Sequence, residues 1–149
     1  MFKSLPKRLA VILGALSLLL PLSLATSGSA SAFQPYSVSV GSSNAVAVAG
    51  CTFKVSSYNH FAGTVTGRLV GSIGPKSFAS GLGIATVYLK CEVGGYSVGY
   101  YSADRVQNGS STAFNKPVTL PYNSQFYVCV SGDTLSRGGV TSSIPINCH

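Results

Sequence analysis

From Ala85 to Val93 the chain alternates: Val87, Leu89, Cys91 and Val93 are apolar, with Thr86, Lys90 and Glu92 set between them. A period of two places these sets on opposite faces of a pleated strand. Ala49–Val55 repeats the pattern, with Cys51, Phe53 and Val55 opposing Thr52 and Lys54. In Val140–Cys148 it sets Val140, Ile144, Ile146 and Cys148 against Thr141, Ser143 and Pro145. Phe126–Val130 is apolar at every position, the mark of a strand covered on both faces. After residue 32 no window repeats apolar residues at i, i+3 and i+4 behind a capping side chain, so a helical domain is excluded.

Turn chemistry separates these runs. Gly94-Gly95, Asn108-Gly109 and Gly138-Gly139 can each supply the positive φ angles of a two-residue hairpin, and 71–83 reads as a longer loop rich in Gly, Ser and Pro. The expected strands are 35–41, 45–57, 62–72, 83–93, 96–102, 112–120, 124–131 and 138–146. Short strands at this spacing predict an all-β domain, an antiparallel β-sandwich ahead of a barrel. There is no internal repeat and no sign of a second domain.

The N-terminus is of another kind. Lys3, Lys7 and Arg8 precede an uncharged run from Leu9 to Ala25, and the segment ends Ala30-Ser31-Ala32. A basic head, an apolar middle and small residues at the cut make a secretory signal helix. Pro21 interrupts the apolar run, which is shorter than the ~20 residues needed to cross a bilayer. The expected organisation is a signal peptide over 1–32 and a single secreted, extracellular domain over 33–149, with no membrane attachment after cleavage.

All four cysteines, Cys51, Cys91, Cys129 and Cys148, follow that cut, as two disulfides in an exported chain would. A two-residue turn at Gly138-Gly139 pairs Arg137 with Val140 and, counting back, Cys129 with Cys148 and Gly132 with Pro145. Facing residues on paired strands are close enough to bridge. Proline opposite Gly132 makes this an edge strand. Cys51–Cys91 follows by elimination.

Composition removes several functions. Charged residues are only 9 % of the chain. Taking Lys3, Lys7 and Arg8 from the net +7 leaves +4 after the cut, and no two of the remaining bases are neighbours. That distribution gives nucleic acid no stripe to follow. The cysteines are too far apart for a metal knuckle, no phosphate-binding glycine loop occurs, and no cofactor is expected.

The acids after the cut are Glu92, Asp104 and Asp133, and the histidines are His60 and His149. Asp104 and Asp133 occupy turn-flanking positions, and His60 follows Tyr58-Asn59 in a turn. No serine sits in a GxSxG elbow, so no catalytic residue is assigned. Asn108-Gly109-Ser110 fits a glycosylation sequon but reads first as a turn. Tyrosine is the abundant functional side chain, with eight residues. Tyr96, Tyr100 and Tyr101 share one expected hairpin, with Tyr88 near and Arg105 just beyond. Tyr100 and Tyr101 point to opposite faces, so a two-layer sandwich must expose at least one. Exposed tyrosine beside arginine suits contact with protein or sugar.

From Cys51 to His149 the layout, with Tyr127-Val-Cys129-Val, Gly138-Gly139 and Pro145-Ile-Asn-Cys148, resembles small secreted actinobacterial two-disulfide proteins of unknown function. The resemblance implies an immunoglobulin-like sandwich and export, and no activity. The leading expectation is a secreted, non-enzymatic binding or surface-interaction domain meeting an extracellular protein or a cell-surface glycan through Tyr96–Arg105. The first alternative is an inhibitor of an extracellular hydrolase, protease or glycosidase, presenting a loop near Pro75-Lys76. The second is a small secreted hydrolase using His60 and Asp104.

Overall fold

A computed structural model describes residues 33–77, 83–95, 99–123 and 125–149; the signal helix expected over 1–32 lies outside the described residues. The described residues form eight strands: β1 Tyr36–Ser43, β2 Ala47–Asn59, β3 Thr64–Pro75, β4 Ile84–Gly95, β5 Gly99–Asn108, β6 Thr112–Pro121, β7 Phe126–Ser136 and β8 Thr141–Cys148. They make two antiparallel sheets, ordered β1-β2-β3-β6 and β5-β4-β7-β8. β2 packs on β7, β3 on β4, β5 on β6, and β1 lies against both β7 and β8. The described residues form an all-β, antiparallel sandwich.

The alternation decides which residues fill it. Ala47, Ala49, Cys51, Phe53 and Val55 of β2 are buried, as are Val87, Leu89, Cys91 and Val93 of β4. The rings of Phe53 and Phe126 meet edge-on between the sheets at 5.5 Å. β7, apolar throughout Phe126–Val130, is central between β4 and β8. Cys51–Cys91 joins β2 to β4 and so staples sheet to sheet, while Cys129–Cys148 joins neighbours in one sheet. No cysteine is free.

The staple needs room. Cys51, Gly71 and Phe114 are directly opposed across β2, β3 and β6. A Cβ on Gly71 would stand 2.7 Å from Cys91 Sγ and 2.6 Å from Phe114 Cζ. Only glycine admits both the sulfur and the ring. Gly71 is therefore core, and β3 runs on to Pro75 where the sequence suggested that a loop had begun at 71.

Three turn expectations are corrected. β4 continues through Gly94-Gly95, which pair with Tyr100 and Gly99, so this dipeptide is strand and not the turn. Asn108-Gly109 is no hairpin: β5 ends there in one sheet and β6 starts at Thr112 in the other. Gly109 takes φ 132° at this crossover and donates to Ala85 O. At the last hairpin Ser136 N donates to Val140 O and Gly139 N to Ser136 O. The loop is thus three residues, Arg137-Gly138-Gly139, with Gly139 at φ 82°.

The longer loop shifts the register by one, so Gly132 faces Ile144 instead of Pro145. A bulge then leaves Pro145 and Ile146 together opposite Ser131, and beyond it Cys129 faces Cys148 as expected. The two departures cancel. The bulge also turns the strand over, so Ile144 is buried while Ile146 is exposed. Proline tolerates this site because a bulge on an edge strand demands no ladder donor. The edge placement of β8 holds.

At the end opposite the cysteine-bearing edge pair, Asn44 closes the sandwich. Its Oδ1 accepts from Val46 N and Ala47 N, and its Nδ2 donates to Ser142 O and Thr134 Oγ1. Thr134, a buried hydroxyl, donates in turn to Ser142 O. This network ties the β1–β2 turn to β7 and β8, and among the described residues no buried polar side-chain atom is left orphaned.

Candidate functional site

The residues singled out from the sequence do not form one surface. Tyr96 lies outside the described residues. Tyr100, on the outer face of β5, is 63 % exposed. It stands in one cross-strand row with Gly94 and Tyr127, and a Cβ on Gly94 would meet Tyr127 Oη at 2.5 Å and Tyr100 Cβ at 2.9 Å. The absent side chain at Gly94 is the seat of the Tyr127 ring. Tyr101 turns the other way and packs half-buried against the core. Arg105 reaches across the sandwich edge and donates to Ala113 O of β6 at 2.9 Å and to Gln107 Oε1. Its guanidinium bridges the two sheets.

The acids share the outer face of the second sheet. Glu92 and Tyr88 lie on β4, Asp104 on β5 and Asp133 on β7, with Asp133 directly opposite Tyr88. Burial, then the Asp104 carboxylate, holds the Tyr88 phenol above its ordinary value of 10.0. Lys90 Nζ sits 2.7 Å from Glu92 Oε1, and that hydrogen bond raises the ammonium. Among the described residues no group of three His, Cys, Asp or Glu side chains is placed to hold a metal. His60 is on the β2–β3 hairpin of the other sheet from Asp104. Pro75 pairs with Ala47 and Lys76 N donates to Val46 O, so Pro75-Lys76 is held beside the start of β2.

The concentration of exposed chemistry is elsewhere. The β2–β3 turn is built by Asn59, whose Oδ1 accepts from Ala62 N, and by Gly63 at φ 61°. Tyr122 N donates to Gly63 O, which ties the chain after β6 to the same turn. These bonds hold Phe61 at the tip, fully exposed. Behind it runs a chain of rings: Phe61 to His60 at 6.2 Å, His60 to Tyr58 at 6.0 Å, Tyr58 to Tyr122 at 4.7 Å and to Phe33 at 6.4 Å, and Phe33 to Tyr36 at 6.3 Å. Tyr36 and Tyr122 are both exposed by more than a third. Partial burial and the neighbouring Tyr122 hold the Tyr36 phenol above 10.0.

Tyr36 also forms one wall of an open cleft of about 330 Å³, shared with Pro35, Ser37, Ser56, Lys54 and Arg68. Lys54 on β2 is directly opposite Arg68 on β3. Asn115 clamps the arginine, its side-chain oxygen accepting from Nε and its carbonyl from Nη2. The rest of this outer face is hydroxylic, with Ser39 bonded to Thr52 and Thr66 to Thr119. The signal for this site was faint in the sequence: a phenylalanine inside the turn Asn59-His60-Phe61-Ala62-Gly63, where turn residues are ordinarily small or polar. A scan of protein-family models and a search of curated proteins found nothing that matches this chain.

Proposed function

We propose that the chain is exported and acts, without turnover, as a binding module of immunoglobulin-like type whose contact surface is the aromatic end of the sandwich and whose target is a cell-surface glycan. One observation carries this reading: a continuous run of five rings from Tyr36 to Phe61, with Tyr122 branching from Tyr58, ending in a phenylalanine that the fold leaves wholly in water. Exposing a phenyl ring forgoes roughly 1.5–3 kcal/mol of burial, so its display is a feature to be explained by a partner. Tyrosine and phenylalanine rings offer flat apolar area to the C–H faces of sugars, and the phenol adds a hydrogen bond. Two disulfides suit an oxidising exterior. The pairing of β3 with β6 and of β4 with β7, neighbours that are not consecutive in the chain, supports the immunoglobulin-like reading.

The test is sedimentation with isolated cell-envelope polysaccharide. Phe61→Ala with Tyr122→Ala should reduce the bound fraction at least tenfold while Tyr100→Ala leaves it within twofold. Equal loss in Tyr100→Ala, or no loss in the double variant, would reject the aromatic end as the contact surface.

A further inference from the structure

Resting on that reading of the aromatic end, we infer that the glycan is anionic, and that the cleft between Lys54 and Arg68 receives a carboxylate of a uronic-acid-type sugar whose neighbouring rings lie along Tyr36 towards the aromatic run. Three observations on the first sheet converge on it. The first is charge. Lys54 and Arg68 face each other directly across β2 and β3, a juxtaposition of like charges that destabilises a sheet unless something offsets it. Among the described residues no carboxylate does. The one ion pair joins Lys90 to Glu92 on the far sheet, and Asp104 and Asp133 also lie on that sheet. An anion seated between the two cations supplies the missing partner.

The second observation is preorganisation. Asn115 holds Arg68 through Nε and Nη2, which fixes the guanidinium plane and leaves Nη1 unspent. A guanidinium held in place loses less freedom on meeting a planar anion. Lys54 is exposed, and among the described residues no hydrogen bond or ion pair engages its ammonium, so it can close on the same anion. The third is the surrounding chemistry. Ser37 and Ser56 line the cleft, the Ser39–Thr52 and Thr66–Thr119 hydroxyl pairs extend from it, and Tyr36 walls it. A ligand matching this face has hydroxyls, flat apolar faces and a negative charge on one scaffold. An acidic sugar has all three. The cleft volume falls in the range of small-ligand sites, about 300–1,000 Å³, and its openness along the sheet suits one residue of a longer chain.

A membrane of anionic lipid would also meet cations and a projecting phenylalanine, but it would not use the hydroxyl pairs of a flat sheet face. The experiment separates the two. The protein, with both disulfides formed, is titrated with polygalacturonate, with the same polymer fully methyl-esterified, and with phosphatidylglycerol vesicles. The inference expects polygalacturonate to bind at least tenfold tighter than the neutral ester, an affinity that falls as salt rises, and a loss of at least tenfold in Lys54→Gln. Arg68→Gln serves as the second variant, with circular dichroism verifying its fold. Equal binding of acid and ester, unaffected by Lys54→Gln yet lost in Phe61→Ala, overturns the carboxylate site and leaves the binding module standing. Vesicle binding without polyuronate binding overturns it in favour of a membrane surface. Binding of neither polymer nor vesicle overturns it as well.

Discussion

Gly71 shows how one missing side chain can organise a sandwich. Its Cα is flanked on the same face by the Cys91 sulfur and the Phe114 ring, both inside 3 Å of where a methyl would go. Gly71→Ala must displace either the inter-sheet disulfide or an aromatic ring of the core, and overpacking of this kind costs about 1–3 kcal/mol. Gly74, three residues on, provides the control: the nearest atom to its added Cβ is 3.8 Å away, on Ser111. Urea unfolding should show a lowered midpoint for Gly71→Ala and a change within about 0.5 kcal/mol for Gly74→Ala. Equal effects would show that the pocket at Gly71 relaxes freely. Phe61 is the opposite kind of residue. Its ring is in water, so Phe61→Ala should leave the urea midpoint untouched.

Strand by strand, the two disulfides do different work. Cys129–Cys148 closes a short stretch across the last hairpin, at a sequence separation of 19, on the edge of a sheet. Cys51–Cys91 spans 40 residues, joins the two layers and is buried at both ends. Chain entropy alone assigns roughly 3 kcal/mol to the first and about 4 kcal/mol to the second. Removing the second also opens a void between the sheets, a further cost. The double serine variant at Cys51 and Cys91 should therefore be the less stable of the two in urea unfolding. Greater loss from the Cys129 and Cys148 pair would mean that the edge hairpin, and not the inter-sheet staple, limits stability. The edges themselves are guarded. Pro117 on β6 and Pro145 on β8 lie on outermost strands, where a missing donor discourages another chain from pairing.

At the level of the whole molecule, the acids are confined to one sheet. The first sheet carries Lys54 and Arg68 on its outer face, and the second carries Glu92, Asp104 and Asp133 together with Lys90 and Arg105. The groups with displaced titration all move the same way. Tyr36 and Tyr88 are held above 10.0 chiefly by burial, and Lys90 above 10.5 by its bond to Glu92. A group whose proton is held more tightly in the native state contributes stability below its unfolded value, and that contribution disappears as pH climbs through the native value. These three groups predict stability that is level through neutral pH and declines above about pH 10, in the direction of proton loss from the folded state. Thermal melts from pH 8 to 11.5 would check it. A melting temperature that rises in that interval would contradict the assignment.

The strands were legible because a period of two is a local property: Val87, Leu89, Cys91 and Val93 need no knowledge of their neighbours to share a face. The pairing of Cys129 with Cys148 was legible because turn and strand are contiguous, although a three-residue loop and a compensating bulge stood behind it. The destination of Asn108-Gly109 was not, since the same dipeptide can close a hairpin or hand the chain to another sheet, and packing between layers makes that choice. Nor was the aromatic end. Phe33, Tyr36, Tyr58, Phe61 and Tyr122 come from three separated stretches, and only the antiparallel pairing of β1, β2, β3 and β6 brings their rings together. Local patterning dictates which residues become strand and which face they bury; which distant side chains meet in water is settled by how the strands pair across a sheet.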